Sequence, residues 1–537
     1  MLHPRVRRSI QIAMGSATTA LVVSTASAQQ LLFELAGDNV ITRKPDDQFG
    51  VSCVGLGDVD GDGISDLLVG AHRYNTTLTR VEGAAFVFSG ATQALIRKHV
   101  GPSKDGQLGA ALDGGRDVDG DGVPDYVVGE PYGDSSNTDG GSVHVYSGSS
   151  GAELLTLHGE RSFDLLGTDV ALVPDVDGDG MAEVVATANL WDDSALGLVQ
   201  CGRGYCWSGR TGALLWTHDG VVNDQWLMWC TELGDVDGDG IHDVGFGSGG
   251  AGAAGNGAGK VEVVSGVDGT QLYSMVGGAA NDVFARVRGT GDVDADGVED
   301  FLVGALGVNN RRGRITVHSG ASGQEITRHD GSQKNEQRNV GATRARIDWN
   351  GDGHADYMFG SSHFVNDDCA GGSVFLHCGR TGRLLFEYRS RDDLSIGVPF
   401  GNSVSTVSDL THDGIPEVMI GAPGAGPPGA NDGRVYVFAG DDLFLQADQS
   451  NYDNGDPIAI ELRGGTPGVL GLIAVTSIDG APLFAPLVLA PLDGNGELAY
   501  LDVTDPSYIG HTIELRGWCQ RATGRGLVDS NLEWFKF

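Results

Sequence analysis

The sequence predicts an all-β protein, with a seven-bladed β-propeller followed by a small C-terminal domain of β-sandwich type. Three observations lead to this prediction. An aspartate- and glycine-rich phrase occurs seven times, at intervals of 56 to 61 residues. A valine-rich phrase follows each copy at a nearly constant distance. Only 20% of the 537 residues are charged and 86 are glycine, which favours strands and tight turns over helices.

The first 28 residues are predicted to be a secretory signal peptide rather than part of the fold. A basic start that includes Arg5 and Arg8 precedes an apolar stretch over residues 10–23, and the small residues Ala26 and Ala28 mark a cleavage site. The apolar stretch is too short and too interrupted to span a bilayer comfortably. We therefore expect a secreted or cell-surface protein with no membrane insertion.

Each repeat is predicted to contain four strands. The first strand leads into the aspartate-rich loop and opens with an aromatic or apolar residue before glycine, as in Phe49-Gly50. The second follows the loop directly and is strongly apolar, as in residues 67–69. The third is the valine phrase, whose period of two is typical of a half-buried strand, and the fourth is a short segment such as residues 153–157.

The N-terminal segment is expected to close the ring. The seventh valine phrase begins at Gly433 and is followed by a change of composition, so the last repeat lacks a fourth strand. Residues 31–35 match the fourth-strand pattern and precede the first repeat. We therefore predict that residues 31–36 complete blade seven and remove the exposed strand edges. Residues 29–442 are assigned to the propeller.

Residues 443–537 are predicted to form a separate β domain. Alternating segments such as residues 458–462 and 512–515 are divided by turns rich in Gly, Pro and Asp. A small β-sandwich is the expected form, and we recognise no functional site in it.

The seven aspartate-rich loops are predicted to bind up to seven Ca²⁺ ions. Calcium takes six to eight oxygen ligands. Each loop offers carboxylates at positions 1, 5 and 9 and a backbone carbonyl at position 7, and the first five loops also offer a carboxylate at position 3. Glycine at position 6 permits the sharp turn around the ion. Seven copies in register, with three or four mutually repelling carboxylates each, favour a cation site over ordinary Asx turns. Magnesium fits less well because it prefers strict octahedra that include several waters.

The candidate ligands share these loop positions in all seven copies. They are Asp58, Asp60, Asp62, Ile64 and Asp66; Asp117, Asp119, Asp121, Val123 and Asp125; Asp175, Asp177, Asp179, Met181 and Glu183; Asp235, Asp237, Asp239, Ile241 and Asp243; Asp292, Asp294, Asp296, Val298 and Asp300; Asp348, Asn350, Asp352, His354 and Asp356; and Asp409, Thr411, Asp413, Ile415 and Glu417. Loops six and seven carry Asn350 and Thr411 in place of the second carboxylate, so we expect these two to bind most weakly. An EF-hand is excluded because position 12, where it needs a bidentate Glu, is apolar in every loop.

The repeat resembles the FG-GAP repeat of integrin α-subunit propellers and of many secreted bacterial proteins. Blade seven retains Phe400-Gly401, an aspartate loop and Gly421-Ala422-Pro423, and the resemblance covers residues 31 to about 440. It implies calcium in the loops between the first and second strands, all on one face of the propeller. We expect the chain to be closer to the secreted bacterial group than to the integrins. A role in cell adhesion, as in the integrins, is therefore only an analogy.

Disulfide bonds are expected because an exported protein folds in an oxidising compartment. The favoured pairs are Cys369 with Cys378, and Cys201 with either Cys206 or Cys230, although the spacing fixes neither. With seven cysteines in the chain, one is left unpaired or bonds another chain.

Charge and missing motifs limit the possible functions. The chain has 72 acidic and 35 basic residues, a net charge of −37, so binding to nucleic acid through charge is not expected. Neither a G-x-S-x-G nor an H-E-x-x-H motif is found. The favoured function is a non-enzymatic binding or adhesion module for an extracellular protein or glycan. The alternative is a secreted polysaccharide hydrolase or lyase with a site at the propeller channel. The oligomeric state is not predicted.

Overall fold

In the computed structural model the chain divides into two compact units, one formed by Leu31–Phe438 and one that contains Ala439–Phe537. The structure describes residues 31–440 except 38–45, 78, 136, 251–255, 332–337, 340–346, 350–352, 363–370, 391–398, 413–414 and 427–431. Beyond residue 440 it describes the strands named below. The predicted signal peptide lies outside the described residues.

The first unit consists of seven four-stranded sheets, which confirms the predicted seven-bladed β-propeller. The strands follow in chain order: β1 (Leu31–Leu35); in blade one β2 (Ser52–Gly57), β3 (Asp66–Ala71), β4 (Ala84–Phe88) and β5 (Leu95–Val100); in blade two β6 (Leu112–Arg116), β7 (Asp125–Glu130), β8 (Ser142–Tyr146) and β9 (Glu153–His158); in blade three β10 (Leu166–Val173), β11 (Glu183–Ala188), β12 (Arg203–Trp207) and β13 (Leu214–Asp219); in blade four β14 (Leu227–Glu232), β15 (Val244–Ser248), β16 (Lys260–Val264) and β17 (Gln271–Val276); in blade five β18 (Phe284–Gly291), β19 (Asp300–Ala305), β20 (Arg314–His318) and β21 (Glu325–Asp330); in blade six β22 (Arg338–Asn339), β23 (Tyr357–Ser361), β24 (Ser373–His377) and β25 (Leu384–Arg389); and in blade seven β26 (Ser403–Val407), β27 (Glu417–Ala422) and β28 (Arg434–Phe438). One turn of helix, α1 (Val308–Arg311), lies between β19 and β20.

The N-terminal strand supplies the fourth strand of blade seven. In that sheet β1 lies beside β28, and the two are antiparallel with Leu35 opposite Val435. The Nε of Arg434 lies 2.7 Å from the Oε1 of Glu34, which adds an ion pair to the backbone ladder. The first and last strands of the propeller are therefore bonded directly to each other.

Glycines let the backbones of neighbouring blades contact each other directly. A Cβ on Gly70 in β3 would lie 2.2 Å from the carbonyl oxygen of Gly109 in the next blade, and one on Gly129 in β7 would lie 2.2 Å from that of Gly167. Real Cβ atoms do not approach oxygen so closely, so these positions require glycine. Packing between blades thus explains the glycines in the second strands of these blades.

The hydrophobic core lies between neighbouring blades. Six clusters of buried side chains each combine two adjacent blades; the cluster of blades seven and one joins Leu35 and Val435 to Phe49. Phe49 packs edge-on against Phe86 at a ring-centroid distance of 5.4 Å. Apolar side chains on both faces of a sheet explain why the second strands are continuously apolar.

The second unit is also built of strands. They are β29 (Phe444–Ala447), β30 (Pro457–Arg463), β31 (Leu470–Ile478), β32 (Ala481–Pro491), β33 (Leu498–Val503), β34 (Thr512–Gln520), β35 (Leu527–Asp529) and β36 (Glu533–Lys536). One sheet has the order β29-β30-β33, and another has the order β32-β31-β34-β35, with β36 also paired to β34. The β-sandwich form of this unit stays a prediction.

The predicted disulfide of Cys201 is wrong. Cys201 is a free, buried thiol that lies 3.5 Å from the carbonyl oxygen of Trp191. It belongs to the core between blades two and three, whereas Cys206 and Cys230 belong to the core between blades three and four. Because side chains alternate across a strand, the two faces of blade three keep these sulfurs apart. Cys369 lies outside the described residues, so its pairing with Cys378 stays a prediction.

Candidate metal centres

All seven aspartate-rich loops join the first and second strands of their blades. The first loop runs from the end of β2 to the start of β3, and each later loop has the same place in its own sheet. Equivalent loops of a closed ring of blades lie on one face of the propeller. Among the described residues, three of the four predicted carboxylates come together in loops one, two, four and five, and all four do so in loop three.

Backbone N–H groups hold the carboxylates of loop one in place. The Oδ1 of Asp58 accepts hydrogen bonds from the N–H groups of Gly61 and Asp62, at 2.7 and 3.2 Å, and its Oδ2 accepts one from Gly63 at 2.8 Å. The Oδ1 of Asp60 accepts from Asp62, and that of Asp62 accepts from Ile64. Loops two, three and four repeat this pattern.

Two loop positions have a left-handed backbone. In loop one, φ is +81° at Gly61 and +89° at Gly63, and a Cβ at either position would meet no atom within 4 Å. The constraint is therefore conformational rather than steric. Two loops lack the first glycine: Ala295 in loop five and His412 in loop seven have φ of 60° and 63°, a conformation that is unfavourable for a residue with a side chain.

The aspartate at position 9 is buried and paired with backbone groups. Asp66 is fully buried; its Oδ2 accepts from the N–H of Val59 at 2.8 Å, and its Oδ1 accepts from that of Gly90 at 3.1 Å. Asp125, Asp243, Asp300 and Asp356 repeat both contacts. This carboxylate therefore ties the loop to the end of the third strand. The sequence pattern indicated its acidity but not this structural role.

Carboxylate oxygens in five loops are close enough for one ion. In each of loops one to five, at least three acidic side chains offer oxygen atoms that all lie within 4.8 Å of one another. Two oxygens bound to one calcium ion at about 2.3–2.6 Å can be at most about 5 Å apart. The donor set and its spacing thus fit a hard cation such as Ca²⁺.

The four-carboxylate group lies in loop three. It comprises Asp175, Asp177, Asp179 and Glu183, whereas the groups in the other four loops comprise three acidic residues each. Glu183 is fully buried and its Oε2 accepts from the N–H of Val176 at 2.8 Å, while no described group is hydrogen-bonded to its Oε1.

Burial raises the pKa of the position-9 carboxyls. The pKa of Asp125 and of Asp243 is raised to about 6, that of Asp300 to about 7 and that of Glu183 to about 8, chiefly by loss of solvation. Neighbouring loop aspartates raise them further. A bound cation reverses this effect because it favours the charged form.

Loops six and seven are described in part. Asn350, Asp352 and Asp413 lie outside the described residues, so the weaker binding expected there stays a prediction. In loop six the Nδ1 of His354 lies 2.8 Å from the carbonyl oxygen of Val293 in blade five. In loop seven the Oε2 of Glu417 accepts from the N–H of Leu410 at 2.6 Å.

Two carboxylates lie among the innermost strands, which sequence reasoning missed. Asp113 on β6 and Asp169 on β10 line a small cavity with Arg288 of β18. The Oδ2 of Asp113 accepts from the N–H of Leu172 at 2.6 Å, and the Oδ2 of Asp169 lies 2.9 Å from the Nη2 of Arg288. Asp113 therefore joins blades two and three, and Asp169 joins blade three to blade five. Neither belongs to a repeated phrase, which is why no sequence signal marked them.

A second missed cluster lies in blade two, at the end of β7 opposite the aspartate loop. His144 is buried between Glu130 and Glu153, with its Nε2 3.2 Å from the first and its Nδ1 2.6 Å from the second. Burial lowers the pKa of His144, but the hydrogen bonds to the two glutamates outweigh it and hold the pKa above its usual value. These residues line a cavity of about 380 Å³.

Three tryptophans pack between the blades. Trp191, Trp207 and Trp216 are buried in the cores between blades. The guanidinium carbon of Arg203 lies 3.6 Å from the ring centre of Trp191. Trp226 is 38% exposed, so packing between blades does not account for it.

Comparison with known proteins shows which repeat family three of the blades match. The family model "FG-GAP repeat" matches residues 54–88, 108–146 and 400–438, in blades one, two and seven. Integrin alpha-7 of Homo sapiens is 26% identical over 182 residues, which cover 34% of this chain and 15% of that protein. Integrin alpha-V of Gallus gallus is 26% identical over 162 residues, 29% of this chain and 15% of its own length. Integrin alpha-PS2 of Drosophila melanogaster is 36% identical over 159 residues, which cover 28% of this chain and 11% of that protein.

The matches cover a small part of these relatives, at most 15% of the length of any of the three. The segments that match the FG-GAP repeat fall on blades one, two and seven, and the seven sheets, the glycine contacts between blades and the aspartate loops agree with this match. Residues Leu31–Phe438 are therefore an integrin-α-like FG-GAP β-propeller.

Proposed function

We propose that this protein is a secreted or cell-surface binding module whose propeller is stabilised by Ca²⁺ and presents loops to an extracellular protein or glycan. The observation that supports it most is the clustering of carboxylate oxygens within 4.8 Å in five equivalent loops. When bound, the cation would supply charge neutralisation and a fixed loop geometry. The side chains of this chain provide the oxygens, and backbone N–H groups orient them.

A binding role is favoured over the hydrolase or lyase alternative. The two carboxylates found among the innermost strands, Asp113 and Asp169, are held by backbone N–H groups and by Arg288. A general acid or base must be able to reach a substrate. The similarity to integrin alpha chains also supports a binding module. Among the residues that the structure describes, no helix has the length and apolarity to cross a membrane.

Removal of the cation is the first test. We expect EGTA to lower the melting temperature of the full chain substantially, because clustered carboxylates that lose their ion repel one another. Added Ca²⁺ should restore it, whereas Mg²⁺ at the same concentration should restore it less. A melting temperature that is the same in EGTA and in calcium would contradict the proposal.

The ligand is sought with a glycan and protein array, probed with the full chain in calcium and in EGTA. Binding that needs calcium supports the proposed module. Turnover of a polysaccharide would instead favour the enzyme, and the array should then be repeated on the products.

A further inference from the structure

Loop three differs from loops one, two, four, five and six by one methylene group. Position 9 is aspartate in those five loops but glutamate in loop three; loop seven also has glutamate there, Glu417, but has Thr411 in place of the acidic residue at position 3. In those five loops one oxygen of this aspartate accepts from the loop backbone, and the other accepts from the glycine after the third strand. Both oxygens thus accept a hydrogen bond from the protein, although the groups of close oxygens in loops two and five still include this aspartate, as Asp125 and Asp300.

The longer side chain of Glu183 makes different hydrogen bonds. Its Oε2 keeps the contact with the loop, at 2.8 Å from the nitrogen of Val176. Its Oε1 is buried and no described donor reaches it. An ionised oxygen that is buried without a partner is costly, and a cation can remove that cost.

The same carboxylate lies close to the other loop ligands. One oxygen of Glu183 lies within 4.8 Å of oxygens of Asp175, Asp177 and Asp179. In loop four, by contrast, the group comprises Asp235, Asp237 and Asp239 without Asp243. Loop three therefore offers four carboxylates to an ion where loop four offers three.

We propose that loop three is the tightest of the cation sites and fills first, because Glu183 is a fourth carboxylate within reach of the ion and has a buried oxygen that no described group satisfies. This inference rests on the proposed function, since it assumes that the loops bind Ca²⁺. Calcium affinity in proteins rises with the number of charged ligands and with the rigidity of the site, over several orders of magnitude. Loop three has the advantage in the number of charged ligands, whereas the three backbone hydrogen bonds that fix its Asp175 recur at Asp58 in loop one and Asp235 in loop four.

The test is a titration of the metal-stripped full chain with CaCl₂ by isothermal calorimetry. Glu183→Asp should weaken the tightest binding step about tenfold and leave the weaker steps and the number of bound ions unchanged. Glu183→Gln, which keeps the length and removes the charge, should weaken it at least as much. Circular dichroism and native mass spectrometry check that each variant folds and how many ions it binds.

A matched gain-of-affinity variant makes the test independent of damage to loop three. Asp243→Glu places the same longer side chain in loop four and should add a second tight step. An unchanged tightest step in Glu183→Asp, or no gain in Asp243→Glu, would overturn the inference. If the unmodified chain binds no calcium at all, the proposed function fails; if it binds calcium with the same steps in every variant, the ranking of loop three alone fails.

Discussion

At the scale of single residues, the loops show which positions tolerate a departure from the repeat. Position 4 has a left-handed backbone with empty space around it, as at Gly61 and Gly238. Loop five places Ala295 in that conformation, with φ of 60°. The side chain fits, but the backbone does not favour it.

Ala295→Gly should therefore stabilise the protein. Relief of the left-handed conformation gains roughly 1–2 kcal/mol, and the greater entropy of glycine in the unfolded chain offsets about half of it. The reverse substitution in loop four, Gly238→Ala, should destabilise by a similar amount. Urea unfolding in saturating calcium measures both; equal signs for the two substitutions would contradict the explanation.

His144 gives the protein a pH dependence. The hydrogen bonds to Glu130 and Glu153 raise its pKa in the folded state despite burial. The folded protein then binds more protons than the unfolded chain at neutral pH, so this contribution to stability is complete below the unfolded pKa of about 6.5 and is lost as pH rises through the folded pKa.

The free energy of unfolding should consequently fall between pH 6 and pH 9, and fall less in His144→Gln. Urea unfolding of both proteins at the two pH values, in saturating calcium, measures the difference. An identical fall in the variant would show that the pairing with the glutamates contributes nothing.

Sequence reasoning found the acidic loop residues, but it did not show that the residue at position 9 has a different structural role from the others. The repeat showed that positions 1, 5 and 9 are acidic in all seven loops and position 3 in five of them. It could not show that Asp66 is buried and bonded to Gly90, since that glycine lies 24 residues away along the chain. The pair of glutamates around His144 was missed for the same reason.

At the scale of elements, glycine determines how closely two blades pack. Gly70 in β3 faces the backbone of Gly109, and the same contact recurs between Gly129 and Gly167. The strand pattern could be predicted because apolar side chains alternate, or run continuously, within a few residues. The contact between blades could not, because it joins residues of different repeats.

Gly70→Ala should destabilise the propeller by about 2 kcal/mol or more, since its Cβ would lie 2.2 Å from the oxygen of Gly109 and 2.3 Å from the Oγ of Ser52. Gly278→Ala is the control, because the nearest atom to its Cβ is 3.6 Å away. We expect the control to change stability by less than about 1 kcal/mol. Similar losses in both variants would refute the packing argument.

At the scale of the whole molecule, the repeat count determined the architecture. Seven copies of the same two phrases predicted seven sheets, and the structure contains them. The disulfide of Cys201 was predicted wrongly because spacing along the chain does not show on which face of a blade a side chain lies. Cys201 and Cys206 are five residues apart in sequence but belong to different cores.

Leu35→Ala tests the contribution of the N-terminal strand. Leu35 is 4% exposed in the core shared by blades seven and one, so we expect a loss of roughly 2–4 kcal/mol. Leu95→Ala, on the outer strand of blade one with Leu95 42% exposed, should change stability by at most about 0.5 kcal/mol. Equal unfolding midpoints for the two variants would show that β1 contributes little.

The pairing of β1 with β28 also has a kinetic consequence. Leu35 and Val435 are 435 − 35 = 400 residues apart in sequence, whereas the other strand pairs of the propeller join near neighbours. Joining the ends of a flexible segment of that length costs about 5 kcal/mol of chain entropy. Most blades can therefore fold from local contacts while the chain is being made, and the slowest step waits for residues near 435. Until then β1 has no partner strand, and this interval is when aggregation through free strand edges is most dangerous.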